Sequence, residues 1–167
     1  MRQVPKIDFN PFVGFFLDLD GVFADFDGML FKLTGKYPRD LAKKEMWKTV
    51  NSRHDFWSAL ELMQDAHHLW EYTRQFDPVF LTGLPSKQGG KEQKEGWVRD
   101  KFGSQWTTHV VPKRDKQLHS GPNKVLIDDN QGNIDQWTEK GGHGVFHTGD
   151  VWETIDKVEA LRKGYRP

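Results

Sequence analysis

Two aspartates, Asp18 and Asp20, close the apolar run in "FFLDLDGVFADFDG", residues 15–28. A short, nearly continuous apolar run reads as a strand buried on both faces. A second such run, "VLIDD", ends in Asp128 and Asp129, and a third, "VFLT", ends in Thr82. In an open parallel sheet, ligands bind beyond the carboxyl ends of the strands. Three strand ends would then aim carboxylates and a hydroxyl at one crevice. Carboxylates gathered so closely resist joint ionisation unless a cation joins them. A hard divalent ion meets that need, and Mg²⁺ suits a site of one or two carboxylates, a backbone carbonyl, waters and a phosphate. A single aspartate after a strand is most often a turn or cap residue. The coincidence of two acidic strand ends with a hydroxyl end is what points to chemistry.

The spacing also predicts the elements that must position these groups. After Gly21, "ADFDGMLFKLTG" places Phe26, Leu30 and Leu33 at helical intervals, with Gly35 as the stop. Asp25 and Asp27 fall within this helix, and Asp25 near its start meets the helix dipole favourably. From Tyr37 to Gln75 the pattern is helical throughout. "RDLAKKEMWKTV" is one stretch and "DFWSALELMQDAHHLWEYTRQF" the other, the latter capped by Asp55. Neighbours on a helix diverge by about 100°, which keeps His67 and His68 from facing one ion together. Further strands are expected at "PVFLTG", "WTTHVV", "KVLIDD" and "GVFHT". Helices are expected in the second half of "SKQGGKEQKEGWVRDKFG", in "NIDQWTEKGG" and in "VWETIDKVEALRKG". Strands alternating with helices predict a parallel sheet covered on both faces.

With 167 residues the chain is long enough for one compact domain. Apolar residues make up 36% and aromatics 13%, enough for a core with rings left over for a pocket. Lys plus Arg and Asp plus Glu are both 24, so there is no bulk attraction to nucleic acid or to an acidic membrane. There is no cysteine, which excludes disulfides and thiolate metal sites and is compatible with a cytoplasmic protein. No apolar run is long enough to span a membrane, and "MRQVPKIDFNPF" does not read as a signal peptide.

These motifs together resemble those of the haloacid-dehalogenase-like phosphohydrolases. "FFLDLDGV" looks like the first family motif, "VFLTG" the second, "KRDK" the lysine-bearing third and "VLIDDN" the fourth. More narrowly, "DLDGVFADF", "DFW", "RDK" and "LIDD" resemble the 5'(3')-deoxyribonucleotidase branch. The resemblance implies a single α/β domain with a Rossmann-like parallel sheet. Its core would span about residues 1–35 and 76–167, with a small helical cap at about 36–75 inserted after the first strand. It implies an Mg²⁺-dependent phosphomonoester hydrolase acting on a small phosphorylated substrate, a (deoxy)nucleoside monophosphate. A phosphatase for another metabolite or a nucleic-acid end, and a non-catalytic phosphate-binding module, are the alternatives. Asp18 would be the nucleophile and Asp20 the general acid and base. Mg²⁺ would be held by Asp18, the Asp20 carbonyl and Asp128, with Asp129 behind them orienting the ligands. Thr82 and the Gly83 amide would hold phosphate oxygens. Lys116 would counter the phosphoryl charge, with Lys113 as the alternative lysine. Phe26, Phe56 and Trp57 would wall a base pocket.

Overall fold

The computed structural model describes residues 1–165. Five strands build one sheet: β1 (Gly14–Leu17), β2 (Val79–Gly83), β3 (Thr108–Val111), β4 (Lys124–Asp128) and β5 (His143–Phe146). Their spatial order is β3-β2-β1-β4-β5, and every pairing is parallel. The expected α/β fold with a Rossmann-like parallel sheet is therefore present. β1 lies at the centre, and the chain leaves it first towards β2 and later returns to its other side as β4. That reversal opens a crevice at the carboxyl ends of β1, β2 and β4.

The unbroken apolar strands follow from burial on both sheet faces. Phe15, Leu17, Phe80, Val125, Ile127 and Val145 join the larger apolar cluster. Phe16, Leu81 and Leu126 point the other way, to a smaller cluster with Ile134 and Trp137. Those last two come from α5 (Gln131–Glu139). The larger cluster takes in α1 (Phe26–Thr34), α3 (Ala66–Thr73), α4 (Gly90–Phe102) and α6 (Val151–Lys163). Asp25 caps α1 by accepting from the Gly28 amide at 2.8 Å. Gly35 ends that helix at φ 71°, a left-handed conformation that costs glycine little. No helix among the described residues is long and apolar enough to cross a membrane.

The 36–75 segment departs from the expected helices. α2 (Lys43–Ser52) forms after a short 3₁₀ turn at Pro38–Asp40. The long second helix does not start at Asp55, whose carboxylate instead accepts from Arg53 at 2.7 Å. Residues 54–59 are turns, and α3 begins only at Ala66. The cause is a pair of long-range backbone bonds. The Asp25 amide donates to the Glu61 carbonyl at 2.9 Å, and the Met63 amide donates to the Phe23 carbonyl at 2.8 Å. Residues 61–63 are drawn into extended pairing beside the β1–α1 loop, which no helical period records. The segment's buried side chains, Val50, Phe56, Trp57, Leu60, Leu69 and Tyr72, pack into the same cluster as the strands.

Phe80, the second residue of β2, is fully buried and stacks on Trp70 and Phe102 at 5.6 and 5.2 Å. Replacing it with alanine should cost about 3–5 kcal/mol of stability. Urea unfolding measures this, and a loss below about 1 kcal/mol would mean the site collapses around the missing ring.

Candidate active site

β1 and β4 run in register, with Leu17 beside Ile127. The Asp18 amide extends that ladder, donating to the Ile127 carbonyl at 3.0 Å. Asp18 and Asp128 therefore emerge side by side from neighbouring strands. Beyond Asp18 the chain winds back on itself. The amides of Val22, Phe23 and Ala24 all donate to the Leu19 carbonyl, and Gly21 adopts φ 80°. A Cβ on Gly21 would lie 2.0 Å from an Asp129 oxygen, so only glycine lets this turn pass beneath that carboxylate.

Carboxylate oxygens of Asp18, Asp128 and Asp129 all lie within 4.8 Å of one another. Lys116 sits among them, 97% buried, and donates to Asp18 Oδ1 at 2.7 Å and Asp128 Oδ2 at 2.9 Å. Burial opposes the charge on this ammonium, but the attraction of Asp18 and Asp128 prevails and raises its pKa. Lys113, the alternative, stays exposed at the rim of the crevice.

Asp128, which ends β4, and Asp129, the next residue, both stand in the cluster but differ in their partners. Asp128 is fully buried and saturated: Oδ1 accepts from the Asn130 amide at 2.9 Å, and Oδ2 from Asn133 Nδ2 at 2.9 Å as well as from Lys116. Asp129 has no hydrogen-bond partner among the described residues and stands in the cluster itself, not behind it. Asp129 is exposed as a residue, but desolvation of its carboxyl inside the crevice, then repulsion by Asp18, Asp128 and Asp20, pushes it up to about 8. Its carboxylate reaches crevice water, which screens part of that repulsion. Asp128 is pushed up to about 6, first by burial and then by Asp18, with Lys116 opposing. A crowded set of hard oxygen donors, one without a protein partner, fits a divalent cation such as Mg²⁺.

Asp20 is handled separately. Burial raises its pKa, Lys94 draws it back and Asp18 raises it again, for a net increase. Lys94, absent from the sequence reading, is the residue that holds it. Its Nζ donates to Asp20 Oδ2 at 2.6 Å, Thr82 Oγ1 at 3.0 Å and the Gly83 carbonyl at 2.9 Å. The same ammonium lies 4.3 Å from the centre of the Trp57 ring, a cation–π contact worth about 2 kcal/mol when desolvated. A signal for it existed. Gly90, Lys94, Trp97 and Val98 are the buried face of α4, so the lysine sits on the inward stripe of its helix. Asn133 was also missed; it lies one turn into α5, whose cap is Asn130.

The aromatics divide. Phe26 lines the acidic crevice, a cavity of about 210 Å³, and stacks on Trp57 at 5.7 Å. Trp57 and Trp47 line an adjoining pocket of about 450 Å³ with Leu84 and Pro85. Phe56 is fully buried and meets Phe26 and Trp57 edge-on at 5.5 and 5.1 Å. It braces those rings and offers no face of its own. Away from the crevice, the His67 and His68 rings do come together, 3.8 Å apart, contrary to helical divergence. They sit in the first turn of α3, where His68 leans on Trp152 at 5.1 Å.

A haloacid dehalogenase-like family hydrolase from Xanthomonas campestris superposes over 98% of this chain and 97% of its own, with a TM-score of 0.61 at 12% identity. The chain has the haloacid-dehalogenase-like fold. A scan against family models gave no match, and neither did a search of curated proteins. In an open parallel sheet a ligand lies beyond the carboxyl ends of the strands at the reversal of strand order, and here the ends of β1, β2 and β4 carry Asp18, Thr82 and Asp128.

The raised pKa of Asp129 ties stability to pH. Without a cation, the native state holds a proton there that the unfolded chain releases near pH 4. This contribution is full at low pH and is lost as pH rises through about 8. In EDTA, the melting temperature of the wild type relative to Asp129→Asn should fall between about pH 5 and pH 8. Mg²⁺ should restore more stability at the upper end of that range than at the lower. A flat difference across the range would refute the charge crowding.

Proposed function

We propose that the chain is an Mg²⁺-dependent phosphomonoester hydrolase of the 5'(3')-deoxyribonucleotidase kind, acting on (deoxy)nucleoside monophosphates. The observation that carries the reading is the division of charge in the crevice. Lys116 joins Asp18 to Asp128 with Asp129 beside them, while Lys94 holds Asp20 apart with its pKa raised. The two carboxylates are thereby held by different lysines in different surroundings, which suits a division of labour between a nucleophile and a proton donor. The likeness to a haloacid dehalogenase-like hydrolase supports hydrolysis as the reaction class. The lack of cysteine fits a cytoplasmic site of action.

Asp18, Asp129 and the Asp20 carbonyl would hold Mg²⁺, with Asp128 anchoring the strand end beside them. The ion, when bound, supplies positive charge against the phosphoryl oxygens. Thr82 and the Gly83 amide hold the phosphate, and Lys116 offsets the charge gathering on it. An Asp18 oxygen attacks phosphorus as the bond to the ester oxygen breaks, and Asp20 passes its proton to that oxygen. Water then reverses the covalent step. Asp20, now ionised, takes a proton from the water as its oxygen adds to phosphorus, and the Asp18 carboxylate departs with the bonding pair. Phe26 and the exposed Trp47 offer ring surface to a base, with Trp57 backing them between Phe26 and Lys94, and such stacking is worth about 1–3 kcal/mol.

Phosphate release should depend on Mg²⁺, stop in EDTA and fall by about three orders of magnitude or more in Asp18→Asn. No turnover of any phosphomonoester would favour a phosphate-binding module instead. In a panel of nucleoside 5'- and 3'-monophosphates and sugar phosphates, the nucleotides should lead. A clear lead for sugar phosphates would remove the base slot.

Lys94→Met tests the handling of the proton donor. It should slow alkyl phosphates about tenfold more than p-nitrophenyl phosphate, whose leaving group needs no proton. Equal losses on both would show that Lys94 only supports the fold.

A further inference from the structure

The proposed reaction leaves one well-placed cation unused. Lys113 opens the 3₁₀ segment Lys113–His119, and Lys116 follows three residues later. Side chains three apart eclipse one another in a 3₁₀ helix, so the two lysines share a side of the segment. Lys116 points to the buried carboxylates, whereas Lys113 stays exposed and lines both the acidic crevice and the 450 Å³ aromatic pocket. No hydrogen bond or ion pair engages the Lys113 ammonium among the described residues. Asp20 and Gly83 line both cavities too. A leaving group whose ester oxygen meets Asp20 can therefore extend into the aromatic pocket, and on that path it passes Lys113.

Two more lysines lie near the Trp47 wall of that pocket. Trp47 is an exposed wall residue on α2, and the exposed Lys43 and Lys44 lie one turn earlier on the same helix face. The zero formal charge of the whole chain conceals this local excess, which acts only over about a Debye length.

We propose that the substrate carries a second phosphate group, on its leaving-group side, which Lys113 binds at the mouth shared by the two cavities. A nucleoside bisphosphate has this chemistry. So does the phosphorylated end of a single nucleic-acid strand, in which the next phosphodiester supplies the second anion. The inference rests on the hydrolase reading above and extends it from the reacting phosphate to the rest of the molecule.

The test measures kcat/KM for four substrates with wild type and Lys113→Gln, at low and moderate salt. They are a nucleoside 5'-monophosphate, the matching 3',5'-bisphosphate, and single-stranded tetranucleotides phosphorylated at the 5' or 3' end. p-Nitrophenyl phosphate, which has no second anion, serves as reference. At least one doubly charged substrate should exceed the monophosphate about tenfold, mainly through KM. The advantage should shrink with salt, and Lys113→Gln should bring it close to one. A lead for the bisphosphate alone identifies a small metabolite. A lead for a tetranucleotide that Lys43→Glu/Lys44→Glu removes identifies a strand end. Phosphate release without such a preference, or a preference that survives Lys113→Gln, overturns the inference and leaves the hydrolase reading standing. No release from any substrate, the reference included, overturns both.

Discussion

Like charges forced together at the ends of two adjacent strands are the constraint around which this molecule is organised. The parallel register that sets Leu17 beside Ile127 also sets Asp18 beside Asp128, because each follows its partner by one residue. No rotamer choice can separate them far. The protein answers with fixed opposite charge and donors: Lys116 between the two carboxylates, Asn133 joining it on Asp128 Oδ2, and the Asn130 amide on Oδ1. What remains uncompensated is Asp129, and it is this remainder that leaves room for a divalent cation.

Such a cluster needs rigid support, since its value lies in charges that do not reorganise during a reaction. The sheet supplies it by being buried on both faces, so that β1 and β4 cannot slide without exposing one of two apolar clusters. The turn after Asp18 supplies it locally. Leu19 receives three backbone amides, and Gly21 passes where any side chain would collide with Asp129. Even the aromatics serve partly as buttresses, with Phe56 holding Phe26 and Trp57 from behind.

Three lysines near the crevice illustrate how position determines what an identical side chain does. Lys116 is buried among the paired carboxylates and neutralises them. Lys94 is buried between Asp20, Thr82 and a tryptophan face, and holds a single carboxylate at a set distance. Lys113 is exposed at the mouth and open to anions arriving from solution. In each case the fold, acting through burial and partners, sets the task.

The residue pattern by itself determined the number and kind of strands, the helix that follows the first of them and the stops at Gly21 and Gly35. It also determined that carboxylates and a hydroxyl close three strands. These are local matters: an unbroken apolar run records burial on both faces, and a cap records the end of a helix. Tertiary structure alone decided that Lys94 reaches Asp20 across 74 positions of chain, and that Asp129 rather than Asp128 keeps a free carboxylate. It also broke the helix expected from Asp55, through backbone bonds to Phe23 and Asp25. The physical reason is common to all three. Period and capping describe what a segment does to itself, whereas these outcomes depend on donors and acceptors that distant segments bring, and no local spacing encodes those.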